Sequence, residues 1–240
     1  MQGTRVYMTI VACLVLMISC DYADTSLKEV DALIDERLLI QQEYQNRIDS
    51  VYSTTLLEMT DSERFACYGQ LYDMYRAFNI DSQLNYAQKR ITLADELNNI
   101  GYKQAAELNM AEVLMRSGMY YEAMRCIDGV AAYPIEDFLR PYYFHLRRTL
   151  YGLLSDFAIT ESEQRLYDAL TQTYRDSIMY VQPEGGFVYE LVRADALANE
   201  GRYIEALKVL ENYDSLYSIS PEEQGIFSIT MAQIYRQLGD

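Results

Sequence analysis

Two stretches of this 240-residue chain decide its fold: AEVLMRSGMYYEAM at residues 111–124 and ADALANEGRYIEAL at residues 194–207. Both place an Ala, a Gly, a Tyr and a second Ala at identical offsets. A small Ala lets two helices approach closely, and Gly permits a tight turn between them, so each stretch predicts a helical hairpin. The shared positions are Ala111, Gly118, Tyr120 and Ala123 in the first stretch and Ala194, Gly201, Tyr203 and Ala206 in the second.

The hairpin signal continues along the chain. Ala232 and Gly239 repeat the spacing of the first Ala and the Gly, and the three glycines are separated by 83 and 38 residues. Turns near residues 78–81 and 158–160 complete a period of roughly forty residues, which is typical of stacked helix pairs. The sequence therefore predicts an all-α fold of antiparallel helix pairs stacked as a solenoid.

Helix starts are marked by a hydroxyl residue followed three positions later by Glu, the capping-box pattern. The sequence predicts one long N-terminal helix within 27–60. Shorter helices are predicted in 61–240, beginning near residues 61, 82, 102, 120, 138, 161, 186, 203 and 221. The pattern occurs at Ser26 and Glu29, Thr60 and Glu63, Thr160 and Glu163, and Ser220 and Glu223.

The first nineteen residues have one early charge and then an apolar run too short to span a bilayer, which is the shape of a secretory signal peptide. Residues 17–20, Met-Ile-Ser-Cys, resemble a bacterial lipobox. That resemblance implies cleavage before Cys20, a lipid on its thiol and a tether at 20–26; the alternative is an ordinary signal peptide cleaved nearby. Under either alternative the chain leaves the cytoplasm. With the lipid on Cys20, we expect it to be tethered to the membrane on the periplasmic side of a bacterial cell envelope.

Charge and motifs exclude several classes of function. A net charge of −16 disfavours nucleic acid, because phosphate binding depends on Lys and Arg. No catalytic or metal-binding motif is present, so we expect no enzyme, metal or cofactor. The one histidine, His145, is expected to be a half-buried helical residue. Cys67 and Cys126 could pair in an oxidising compartment, but their helical positions favour small buried hydrophobes.

The hairpin motif resembles the tetratricopeptide repeat (TPR), well at 102–131 and 186–217, partly at 221–240 and weakly at 61–99 and 138–181. In that family the first helix of each pair lines a concave groove that binds protein or peptide. The alternative is that tyrosines at helical spacing belong to the hydrophobic core rather than to a binding groove. The resemblance nominates as groove residues Tyr72, Tyr75, Arg76, Glu112, Arg116, Asp195, Asn199, Gln233 and Arg236.

A narrower resemblance rests on RIDS at 47–50, the stretches at 68–87, 109–124 and 140–160, and TYRDSI at 173–178. In this order they are similar to the N-terminal half of a family of bacterial envelope proteins whose longer members continue into a transmembrane helix and a helix-turn-helix-like regulator region. It implies that the chain is the sensory or assembly half of an envelope regulator and continues beyond Asp240. The rival reading is a surface lipoprotein that binds a glycan or another solute.

Overall fold

A computed structural model describes residues 28–51 except 29, 30, 33, 35, 38 and 40, and then residues 59–76, 78–217 and 219–239. Cys20, the signal peptide, the tether and the first capping box lie outside these residues. Helices and one 3-10 turn account for the regular structure over the described ranges, which confirms the all-α class. None of the helices in these ranges has both the length and the apolar character to cross a membrane.

Helix α1 is helical at every described position from 28 to 51. A 3-10 turn, Asp137–Leu139, precedes α6. The remaining helices are α2 (Asp61–Tyr75), α3 (Ile80–Glu96), α4 (Ile100–Arg116), α5 (Tyr120–Val130), α6 (Arg140–Asp156), α7 (Glu161–Val181), α8 (Phe187–Asn199), α9 (Tyr203–Leu216) and α10 (Pro221–Leu238).

The chain divides into two compact units between Cys67 and Tyr68. The first unit holds α1 and the first turns of α2; in it Ile48 and Phe65 are buried, whereas Leu39 is 60% exposed. In the second unit consecutive helices pack as neighbours, and α4 also contacts α6 while α8 contacts α10. Contact between alternate helices is what stacked helix pairs require, so the second unit has the architecture of a TPR-like solenoid.

The turns of the two best-predicted hairpins are the same. In α4–α5 the Met119 N–H donates to the Leu114 carbonyl at 2.8 Å, and in α8–α9 the Arg202 N–H donates to the Leu197 carbonyl at 2.9 Å. The Gly118 and Gly201 between them both have φ of +77°, a left-handed conformation that glycine adopts without strain. Gly239 after α10 is also left-handed, with φ of +91°.

The sequence missed a third turn of this kind, between α3 and α4. Asn98 has φ of +50°, and the Asn99 N–H donates to the Ala94 carbonyl at 3.2 Å. Asn tolerates the left-handed region because its short polar side chain interacts locally. Asn79 and Asn99 also cap α3 and α4, since their side chains accept from the Ser82 and Tyr102 N–H groups. Both helices therefore begin two residues earlier than predicted.

Three capping boxes are confirmed by reciprocal hydrogen bonds. The Glu163 N–H donates to Thr160 Oγ1 at 3.2 Å while the Thr160 N–H donates to Glu163 Oε2 at 3.1 Å. The pairs at 60 and 63 and at 220 and 223 form the same two bonds. The hydrogen bonds from Thr60 lower the pKa of Glu63.

Two buried clusters fill the second unit between helices. In the first, Ala111 and Ala123 are fully buried where α4 meets α5, and in the second Ala194 and Ala206 are fully buried where α8 meets α9. These four alanines occupy the close crossings that the sequence predicted. Ala232 differs: it is exposed, because α10 packs through Phe227 and Ile234 instead and no helix of the described chain covers Ala232.

The pair α6–α7, for which the repeat motif is weak, packs extensively. Large rings take the place of small residues there: Tyr151 stacks with Tyr167 and Tyr174, with ring centroids 6.2 and 5.8 Å apart. Ser155 Oγ also donates to Asp168 Oδ1 at 2.6 Å. Aromatic packing thus maintains the hairpin where the Ala and Gly pattern has been lost.

Cys67 is buried, Cys126 is half-buried, and both are free thiols. Burial raises the pKa of both thiols, that of Cys126 to about 12, with the carboxylate of Glu107 contributing. Both are therefore protonated near neutral pH, as expected of small hydrophobic residues rather than reactive thiolates.

Candidate binding groove

Glu112 on α4 is the centre of the first polar cluster. Its Oε2 accepts hydrogen bonds from the Tyr72 hydroxyl of α2 at 2.7 Å and from the Tyr142 hydroxyl of α6. The Arg76 guanidinium lies 3.2 Å from the same oxygen and 3.2 Å from Asp73 Oδ1. One carboxylate oxygen therefore joins three alternate helices, α2, α4 and α6.

Burial keeps the donors of this cluster protonated. The Tyr72 ring is fully buried, and its hydroxyl also lies 3.0 Å from the Asn109 carbonyl. Burial, together with the negative charge of Glu112, raises the pKa of both Tyr72 and Tyr142 far above the ordinary tyrosine value. Both hydroxyls therefore remain hydrogen-bond donors over the whole physiological pH range.

Asp195 on α8 is the centre of a second cluster. Its Oδ2 accepts from Arg148 of α6 at 2.7 Å and from Arg175 of α7 at 2.9 and 3.1 Å. The Arg175 side chain is only 7% exposed, so the carboxylate neutralises a buried cation. The Asn199 amide donates to the Asp195 carbonyl at 2.7 Å.

His145 lies on α6 between the two clusters, three residues from both Tyr142 and Arg148. His145 is exposed rather than half-buried as expected, and neighbouring groups partly desolvate its imidazole. This desolvation, reinforced by the positive charge of Arg148, lowers the pKa of His145 to about 4. The imidazole is therefore neutral at pH 7 and can both donate and accept a hydrogen bond.

The structure places the nominated residues in different surroundings. Glu112, Arg76 and Asp195 belong to the clusters above, whereas Tyr75 stacks on Tyr86 with centroids 5.6 Å apart, inside the α2–α3 pair. Arg116 donates to the buried Gln83 side chain of α3. Gln233 and Arg236 are exposed on α10. The alternative that some tyrosines are core thus holds for Tyr72 and Tyr75.

The sequence prediction missed Tyr142, His145 and Arg148 as members of this surface. Their spacing of three residues places them along one face of α6, which was the available signal. The degenerate turn at 158–160 gives no register by which α6 can be aligned with the other first helices. Arg175, on the second helix of that pair, had no sequence signal.

The surface formed by these two clusters and His145 offers hydrogen-bonding groups. We call it the concave groove, after the groove that the TPR resemblance predicts along the first helices. It joins carboxylates, guanidinium groups, hydroxyls and one neutral imidazole on the first helices of successive pairs. Over the described part of the chain, no group of His, Cys, Asp and Glu side chains is arranged to hold a metal ion. The stacked hairpins define the chain as a helical-repeat protein.

The comparison with known families places the chain within this class. The SusR N-terminal TPR domain family matches residues 34–240, and the chain belongs to that family. TPR domains are repeat modules that generally mediate protein–protein interactions and are typically non-catalytic. No curated protein and no solved structure gives a significant match.

Proposed function

We propose that this protein is a non-enzymatic module that binds a protein or peptide partner in the concave groove. We further propose that it acts outside the cytoplasm as the sensory or assembly half of a larger envelope regulator. The observation that carries the proposal is the alignment of the Glu112 and Asp195 clusters, with His145 between them, on the first helices of successive repeats.

A peptide suits this surface because its backbone offers a donor and an acceptor at every residue. Arg76 is 44% exposed on its side chain and can donate to a carbonyl, and His145 can serve either end of an amide. The Nε atom of Arg148 is buried and has no hydrogen-bond partner within the described residues, which leaves one more donor beside His145. The cluster bonds fix these groups before a ligand arrives, which lowers the entropy cost of binding.

The rival, a glycan-binding lipoprotein, requires aromatic faces that are free to stack on sugar rings. At the groove, Tyr72 is fully buried and Tyr75 is stacked on Tyr86, so their faces are already in use. This favours a peptide over a glycan as the occupant of the groove. The net charge of −16 likewise favours a partner other than nucleic acid.

Selection of a random peptide library displayed on phage against the purified chain tests the binding function. Enriched peptides should lose about tenfold in affinity with Arg76→Ala or His145→Ala, the loss expected of a moderate hot spot. Arg165→Ala is the matched control, because Arg165 is 75% exposed on α7 and pairs only with Glu161 of its own helix within the described chain. Failure to enrich any peptide, or an equal loss with the control, would contradict groove binding.

Export and anchoring are tested separately. Alkaline phosphatase fused after residue 26 should be active in bacterial cells, because the enzyme folds only outside the cytoplasm. Labelled palmitate should be incorporated into the chain and lost with Cys20→Ala. An inactive fusion would refute export, and unchanged mass and membrane association in the Cys20 variant would refute the lipid anchor.

A further inference from the structure

A cavity of about 570 Å³ opens between α4 and α5, outside the concave groove. Glu107 of α4 and Glu122 of α5 line it, with Ile100, Val130 and Tyr133 as apolar walls. Glu107 and Glu112 are five residues apart on α4, which separates them by about 140° around the helix axis at 3.6 residues per turn. The cavity is therefore a different surface from the groove.

Lys103 and Arg125 also line this cavity, but neither forms an ion pair with Glu107 or Glu122. Lys103 is instead paired with Asp95 at 2.7 Å. Neither Glu107 nor Glu122 forms an ion pair with a Lys or Arg in the ranges that the structure describes. Two carboxylates on facing helices thus border the same cavity without a direct ion pair, and Glu107 accepts a hydrogen bond from the Cys126 thiol.

The buried side chain of Gln104, 3% exposed, adds a third acceptor. Its Nε2 donates to the carbonyls of Val130 at 3.2 Å and Pro134 at 3.0 Å. These bonds fix the orientation of the amide, because a flipped amide would place its own oxygen against two carbonyl oxygens. The Oε1 atom is left without a partner among the described residues. An unpaired buried acceptor is costly, so a donor entering the cavity would relieve it.

The equivalent place in the α8–α9 hairpin provides an internal comparison. A cavity of about 380 Å³ lies there, lined by Glu190 and Glu205, each 83 residues after its counterpart. In this cavity the charges are satisfied: Glu190 pairs with Arg193 at 3.2 Å, and Glu205 pairs with Arg202 at 2.7 Å. The two equivalent carboxylates are therefore ion-paired in the α8–α9 hairpin and not in the α4–α5 hairpin.

We propose that the α4–α5 cavity binds a cationic group carried on an aliphatic stem, namely a Lys or Arg side chain. The cation lies between Glu107 and Glu122, and the stem packs on Ile100 and Val130. The ring of Tyr133 can contact the cation through its face. Such a guest supplies charged donors to the two carboxylates and removes apolar surface from water.

Nuclear magnetic resonance titration at low salt, with the amide spectrum as readout, tests this site. The probes are N-acetyl-lysine methylamide and N-acetyl-arginine methylamide, with N-acetyl-glutamate methylamide as the acidic control. Shifts from the cationic probes should be confined to residues 100–107 and 122–133. Glu107→Gln and Glu122→Gln should each weaken binding about fivefold or more, as expected for the loss of a charged hydrogen bond. Glu205→Gln, the repeat-equivalent control, should leave binding unchanged.

Equal binding of the acidic probe, shifts spread over other helices, or an equal loss with Glu205→Gln would overturn the proposal. A free diamine, cadaverine, distinguishes the source of the cation. Tighter binding of the lysine amide than of cadaverine supports a side chain of a partner protein, and the reverse supports a free amine. Because the site is separate from the groove, the Arg76 variant should bind these probes normally, so failure here and failure of the groove proposal are distinguishable.

Discussion

Removal of the Glu112 carboxylate should destabilise the second unit more than the removal of any surface acid. In Glu112→Ala, the Tyr142 hydroxyl loses its acceptor, and Arg76 keeps only Asp73 from the pairs described above. Tyr72 is partly compensated, because the Asn109 carbonyl lies 3.0 Å from its hydroxyl. Hydrogen bonds to charged groups contribute about 1.5–3 kcal/mol each, so with this compensation we expect a loss of about 2–4 kcal/mol.

A double-mutant cycle isolates the contribution of the shared oxygen. Tyr142→Phe alone should cost about 1 kcal/mol, and its coupling energy with Glu112→Ala should be about 1–2 kcal/mol, because the two side chains share one bond. Urea unfolding followed by circular dichroism measures each free energy of unfolding, with the slope checked for constancy.

The control is Glu96→Ala, an exposed acid near the end of α3, which should change stability by less than about 0.5 kcal/mol. The reasoning would be refuted if Glu112→Ala behaved like this control, or if the coupling with Tyr142→Phe were zero. In either case the convergence on Glu112 would contribute no stability.

Three further outcomes follow from the packing and charge of the second unit. Ala111→Leu should cost about 1–3 kcal/mol by overpacking a fully buried crossing, whereas the exposed Ala232→Leu should be nearly neutral; thermal unfolding compares the two. Asp195→Ala should lower the free energy of unfolding by about 3 kcal/mol, because it leaves the buried Arg175 without its carboxylate, and Asp195→Asn should lower it by less. Equal stability of the wild type and both variants in urea unfolding would contradict this. As the pH falls from about 6.5 to about 4, the wild type should lose stability relative to His145→Gln. The reason is that the histidine of the unfolded chain binds a proton at a higher pH than the folded one, whose pKa is about 4. Parallel curves of stability against pH for the two proteins would exclude this linkage.

Much of the fold could be predicted from the sequence because its signals are local. The starts of α7, α9 and α10 at residues 161, 203 and 221 agree with the prediction, and two of them follow a capping box. Errors arose where another residue took the same role: Asn79 and Asn99 as caps, and Asn98 as the left-handed residue of a turn. A search restricted to hydroxyl caps and glycine turns does not find these.

The site was less predictable because helix spacing gives a face but not a partner. Glu112 and Asp195 occupy equivalent positions and were both nominated, yet one is held by two tyrosines and an arginine and the other by two arginines. Tyr75, nominated by the same register, turns out to stack within its own hairpin.

By itself the sequence determined most of the helix boundaries, the hydroxyl caps and the glycine turns, since these depend on interactions within a few residues of one another. Only the tertiary structure decided which charges are satisfied. Glu107 and Glu190 are equivalent in sequence, but one borders a cavity unpaired and the other is paired with Arg193. The physical reason is that the local environment of a side chain depends on how far neighbouring helices rotate and approach, and on which residues they present there.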